Sequence, residues 1–161
     1  MALVLDLLRH GQALPAGPAG DRQRPLAPAG ARGLAALAAS LLREDWCPDR
    51  VFSSPCLRAR QSAGIVAGTA SPAVPVETLR ALESEHEPSE VIEALARQGV
   101  SAGHVLLVGH QPLLGLLVRH LAGVEQGLSP GTLVRVHCPG GLRAGNGRVT
   151  LTLPPEDLEP A

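Results

Sequence analysis

Three short stretches of this chain carry side chains able to do chemistry: Arg9-His10-Gly11, Ser53-Ser54-Pro55 with Arg58 one turn on, and Gly109-His110-Gln111. Each follows a hydrophobic run, "LVLDLL", "VF" and "VLLV". Runs of this kind read as strands, and in open α/β sheets ligands bind at the carboxyl ends of the strands. If the three strands are parallel, two imidazoles and two guanidiniums gather at one end of the sheet. Such a cluster repels itself unless an anion sits in its middle. A tetrahedral phosphate suits it, because a guanidinium donates paired, planar hydrogen bonds to phosphate oxygens.

The elements that must position these groups follow from periodicity and turn chemistry. Residues 2–8 are predicted as a strand buried on both faces, as in parallel sheets. Residues 14–28, rich in Pro, Gly and Ala, read as a surface loop. Leu34, Leu37, Leu41 and Leu42 recur at helical spacing and predict an amphipathic helix over 29–44. A strand at 50–53 and a helix over 57–68 follow. A third strand is expected at 74–77, then a helix over 89–98 entered through Pro88 and Ser89. The segment "HVLLVGH", 104–110, repeats the opening pattern and leads into a helix over 113–121. Strands at 132–137 and 148–153, separated by the turn-like "PGGLRAGNG", predict an antiparallel hairpin at one edge. Strands alternating with helices make this an α/β chain with a mainly parallel sheet. One domain over 1–161 is expected, with 154–161 frayed.

Bulk properties narrow the classes of function. The chain has 161 residues, 45% hydrophobic and 18% charged, a globular balance rather than a disordered one. Its formal net charge of -1 supplies no basic field to recruit nucleic acid or an anionic membrane. All 14 basic residues are arginine, so a bound anion must be held by guanidinium forks or imidazoles. Cys47, Cys56 and Cys138 form an odd set without C-x-x-C spacing, which predicts buried thiols in a reducing compartment. The apolar stretch 2–8 is too short for a signal peptide or a membrane span, so a cytoplasmic location is expected.

Four motifs in order, "LRHG" at 8–11, "RPLAPAG" at 24–30, "SSPCLRARQSA" at 53–63 and "VLLVGHQPLLGLLV" at 105–118, resemble those of a known family. This is the histidine phosphatases related to phosphoglycerate mutases, and more narrowly the small SixA-type phosphohistidine phosphatases. The resemblance runs from residue 3 to about 122. It implies a phosphoglycerate mutase-like, three-layer α/β/α sandwich with a mainly parallel sheet and an antiparallel edge.

It also implies that His10 is the nucleophile of a two-step covalent mechanism. Arg9 and Arg58 would clamp the phosphoryl oxygens, and His110 would donate a further hydrogen bond. Gln12 and Arg24 would make phosphate contacts at the rim, and no metal or cofactor is called for. Gly11 would keep side-chain bulk away from the pocket backbone. The chain departs from the family at one point. Members acting on phosphate esters carry an acid in an L-x-E element, but Leu79-Arg80-Ala81 puts alanine there. Glu83, Glu85 and Glu87 follow closely, and Glu83 is the nearest candidate acid. A P–N bond needs less acid assistance, and the stretch between Arg58 and Glu83 is too short for a large lid. The resemblance, read with these departures, implies a phosphohistidine-bearing protein as substrate and a phosphate or sulfate ion as pocket ligand. The alternatives are a small-molecule phosphomonoesterase and a non-catalytic phosphate-binding module.

Blander readings stand beside these. His10 and His110 could cap strands, and Arg9 and Arg58 could be ion-pair partners, with Asp6 a nearby carboxylate. Arg60, His86, His104, His120 and His137 have no motif around them and read as structural or exposed. The acidic run from Glu83 to Glu90 reads as a solvated loop. Other phosphate chemistries lack their residues. Ser62 stands where a tyrosine-phosphatase arginine would have to follow Cys56, and Ala144 does so for Cys138. Leu8 replaces the second aspartate that a haloacid dehalogenase would need after Asp6, and no G-x-x-x-x-G-K-[ST] loop exists.

Overall fold

In the computed structural model, which describes residues 2–160, the first apolar run forms strand β1, Leu3–Arg9. Leu3, Leu5 and Leu7 pack to one side of it and Leu8 to the other, all fully buried, so the strand is covered on both faces. Five strands complete the sheet: β2 (Arg50–Ser53), β3 (Val76–Thr78), β4 (Gly103–Gly109), β5 (Leu133–Cys138) and β6 (Arg148–Leu153). Their spatial order is β3-β2-β4-β1-β5-β6. The pairs from β3 across to β1 are parallel, while β1–β5 and β5–β6 are antiparallel.

Helices α1 (Pro28–Arg43) and α2 (Leu57–Ala67) cover one face, and α3 (Pro88–Arg97) and α4 (Leu113–Ala122) cover the other. On the first face Leu34, Leu37 and Leu41 of α1 and Ala63 and Val66 of α2 pack on Val51, Leu106 and Val108. On the second, Val91, Leu95, Leu114 and Leu117 pack on Phe52, Leu107 and Val136. Each of these Leu, Val and Phe side chains contributes roughly 1.5–3 kcal/mol by leaving water. This is the expected three-layer α/β/α sandwich with an antiparallel edge.

Boundaries differ where backbone chemistry dictates. The third strand, expected at 74–77, pairs only from Val76, which lies opposite Val51. Pro75 just before it has no N–H for a ladder. Helix α3 begins with Pro88 in its first turn, and Glu87 and Glu90 cap one another's backbone reciprocally. In the tail expected to fray, Pro155–Asp157 form a 3-10 turn and Leu158 packs beside the α1 core. Cys56 and Cys138 are buried, but Cys47 is exposed. The neighbouring Trp46 takes the buried place instead, with its indole N–H donating to Asp6 across 2.8 Å.

Asp6 is the one charged residue of β1 that faces the core, and it is fully buried. Arg135 of β5 holds it with two hydrogen bonds, 2.7 and 3.1 Å, and His104 of β4 lies 2.5 Å from Oδ2. Burial alone would push its carboxyl up, but the bonds from His104 and Arg135 prevail and hold it below the usual range. Asp6 is therefore partnered by Arg135 and His104, not by Arg9 or Arg58. No helix among the described residues is long and apolar enough to cross a membrane.

Candidate active site

The carboxyl ends of β1, β2 and β4 lie side by side because β4 sits between the other two. Main-chain bonds fix the loops that leave them. The N–H of His10 donates to Gly109 O (3.0 Å) and that of Ser54 to Val108 O (3.0 Å). A cavity of about 280 Å³ opens there, and Arg9, His10, Gln12, Arg24, Arg58 and His110 all line it. Ser84 and Gln111 complete much of the remaining wall.

The His10 and His110 rings stand 5.0 Å apart between centroids, tilted by 57°. His10 Nδ1 lies 2.8 Å from Gly11 O. A carbonyl oxygen only accepts, so Nδ1 bears the ring proton and Nε2 keeps its lone pair. That lone pair faces Arg58 Nε at 3.4 Å. Burial is the main cause that brings His10 down to about 4. The Gly11 bond opposes the shift, and the charges of Arg58, Arg9 and Arg24 add to it. His110 is brought down to about 3 by burial and then by the neighbouring charges of His10, Arg58 and Arg9, with Asp21 opposing. Both rings are neutral at physiological pH.

The arginines are already oriented. Arg58, nearly buried at 7% exposure, donates from Nη1 to Asp21 O (2.9 Å) and from Nη2 to Asp21 Oδ2 (3.2 Å). Arg9 donates from Nη1 to Leu128 O (2.9 Å). Its Nε is the one buried side-chain polar atom without a hydrogen-bond partner among the described residues. Arg24 is braced by Leu14 O (2.8 Å) and Asp21 Oδ1 (3.3 Å). Guanidiniums gathered this closely repel one another, and a tetrahedral oxyanion hydrogen-bonded between them would balance the charge.

Glu83 stands differently from the other candidates. It is buried, but it is absent from the cavity wall, and its carboxylate accepts from Arg22. Ala81 lines a separate groove along α3. Arg22 sits in the turn Asp21–Gln23, so its pair with Glu83 ties together the two rim segments, 12–28 and 80–90. No carboxylate lines the cavity among the described residues.

Gly11 is constrained by α1 rather than by the pocket. A Cβ there would lie 2.9 Å from Leu34 Cδ1 and 3.2 Å from Gly30 O. Gly30, the last residue of "RPLAPAG", is tighter still, since a Cβ would meet Gln12 N at 2.8 Å and its carbonyl oxygen closer yet. The motif thus presses the start of α1 onto the backbone that leaves the site. Sequence reasoning passed over Asp21, placed Ser54 in a motif without a role, and named Ser62 only in excluding a tyrosine phosphatase. Ser62 Oγ accepts from Gly11 N (3.0 Å) and donates to Arg58 O (2.6 Å). Its position four after Arg58, on one helix face, was the available signal. Among the described residues no group of three or more His, Cys, Asp or Glu side chains is placed to hold a metal ion.

A layered sandwich with paired imidazoles and arginines at the parallel strand ends defines a class. Residues 5–87, just over half of the chain, match the family model of the histidine phosphatase superfamily (branch 1), and the chain belongs to that superfamily of phosphatases. Its likeness to particular solved structures is narrower. The protein histidine phosphatase SixA complexed with tungstate superposes with a TM-score of 0.82 at 26% identity, over 96% of this chain and 98% of that one. A SixA phosphohistidine phosphatase structure from Nakamurella multipartitia gives 0.80 at 23% identity, over 95% and 96% of the two chains. Phosphoserine phosphatase from Entamoeba histolytica, in complex with phosphoserine, shares the fold at TM-score 0.70 and 14% identity, over 96% and 98%. No curated protein matches the sequence.

Proposed function

We propose that the chain removes phosphoryl groups from phosphohistidine borne by a protein, by way of a covalent phosphohistidine at His10. In the first step the His10 Nε2 lone pair attacks phosphorus. The bond from phosphorus to the substrate imidazole breaks, and that imidazole departs with a proton from solvent. Arg9 and Arg58 hold the equatorial oxygens, and His110 donates a hydrogen bond as their charge is redistributed. Gln12 and Arg24 contact phosphate at the rim. In the second step a water oxygen bonds to phosphorus and the Nε2–P bond breaks. Both water protons leave with inorganic phosphate, as dihydrogen phosphate, and His10 regains its lone pair.

The observation that carries this reading is a cavity walled by imidazoles and guanidiniums but by no carboxylate. An alkoxide is a poor leaving group without a positioned acid, whereas an imidazole leaves readily once protonated. Glu83, held by Arg22, is arranged as an acceptor and not as a proton donor. The SixA structure with tungstate, a tetrahedral oxyanion, lends support to the pocket ligand.

Rates on a phosphohistidine protein and on an aryl phosphate test the substrate class. A large preference for the first is expected, and a preference for the ester would overturn the choice. His10→Ala should reduce turnover at least a thousandfold, on the order of the loss seen when a nucleophile is removed, and should abolish an acid-labile, base-stable phosphoryl adduct. It should still bind phosphate through the arginines. Turnover that survives the substitution would remove His10 from the role.

A further inference from the structure

The two histidines of the cavity present opposite chemistry to it, and one buried hydroxyl accounts for the difference. Ser54, fully buried, lies between β2 and α2. Its Oγ has two partners: Cys56 N–H donates to it across 3.2 Å, and His110 Nε2 lies 2.8 Å away. A serine hydroxyl offers one proton and two lone pairs. The peptide N–H occupies one lone pair. Were Nε2 also to donate, the hydroxyl proton would be left buried without an acceptor, at the full desolvation cost of that donor. The hydroxyl therefore donates to Nε2.

His110 is neutral, held down to about 3 chiefly by burial, so its ring carries a single proton. With Nε2 accepting, that proton resides on Nδ1. Nδ1 makes no hydrogen bond within the protein, yet it is not among the enclosed unpartnered atoms, and the ring lines the cavity. It is a donor turned towards whatever fills that space. His10 is the mirror case, with Nδ1 committed to Gly11 O and the Nε2 lone pair accepting only a long 3.4 Å contact from Arg58 Nε.

We propose that Ser54 is a positioning residue that holds His110 in its Nδ1–H tautomer, so that the cavity meets a lone pair on one imidazole and a hydrogen-bond donor on the other. Without the hydroxyl the His110 proton can move to Nε2, and a ring lone pair then faces the phosphoryl oxygens and repels them. The effect on rate rests on the phosphoryl-transfer reading above; the tautomer does not.

Long-range 15N–1H correlations on the full chain, labelled at histidine and assigned with His110→Gln, read the tautomer directly. In the unsubstituted protein the His110 Nδ1 should be protonated and its Nε2 bare. In Ser54→Ala the two tautomers should mix, and kcat should fall about ten- to a hundredfold, the scale found when the partner that orients a metal-ligating histidine is removed. KM should change little. Ser54→Thr restores a hydroxyl and should recover both the signal and part of the rate. A protonated Nε2 in the unsubstituted protein overturns the proposal, as does a Ser54→Ala protein that keeps both the signal and the rate. If Ser54→Ala does not fold, the spectrum of the unsubstituted protein alone decides. Failure to trap an adduct on His10, with His110 still in the Nδ1–H form, would sink the reaction but not this assignment.

Discussion

His10 and His110 are the same side chain placed in one pocket, and their surroundings set what each can do. His10 near 4 and His110 near 3 are both uncharged well into the acid range. On the proposed mechanism the acid limb of kcat/KM should be centred near 4, where His10 loses its proton. An acid limb centred near the ordinary histidine value of about 6.5 would contradict that environment. Stability follows with a definite sign. Unfolded, each ring takes a proton near 6.5; folded, it resists until about 4 or about 3. Between those values the unfolded chain binds more protons, so stability falls as pH drops through that window and is level above it. Thermal unfolding across pH 7 to 3 reads the slope. Arg9, His10, Arg58 and His110 were legible because their motifs stand at the end of a strand or the start of a helix and carry charged or imidazole groups. Asp21 and the role of Ser54 were not, since these residues reach Arg58 and His110 from distant parts of the chain and only the folded arrangement brings them there.

Elements supply the precision that single residues lack. The α1 entry sits so close to Gln12 that Gly30 tolerates no side chain. Gly30→Ala should therefore destabilise the protein by about 1–3 kcal/mol, as overpacking does, and weaken phosphate binding by moving Gln12. Gly33→Ala, in the same helix with nothing within 4 Å of the added carbon, is the control. It should stabilise by roughly 0.5–1 kcal/mol through the better helix propensity of alanine. Denaturant unfolding and calorimetric titration with phosphate separate the two. Equal effects of both substitutions would refute the close-contact account. Strands and helices were readable from leucine spacing, apart from one- or two-residue shifts such as that imposed by Pro75. The rim was less readable, because the Arg22–Glu83 pair joins two loops that have no periodicity of their own.

At the scale of the whole molecule, Asp6 is a knot that ties β1, β4, β5 and the Trp46 loop together. Arg135→Met should lower stability by about 3 kcal/mol, because it leaves a buried carboxylate short of its main partner. Its activity at a permissive temperature should survive, since the knot lies apart from the cavity. A variant as stable as the parent would mean that His104 and Trp46 suffice. Nothing in the sequence marked Asp6 for this task, since a lone acid in an apolar run is explained only by the neighbours that the sheet assigns to it.

The central place of β4 has a consequence for synthesis. β2 never touches β1 in the sheet; the strand that separates and joins them is made some fifty residues later than β2. A nascent polypeptide that has already delivered Arg9, His10 and Arg58 therefore lacks the strand that brings them to one cavity. A chain ended before Gly103 would carry three of the four recognisable motifs without the strand that joins them.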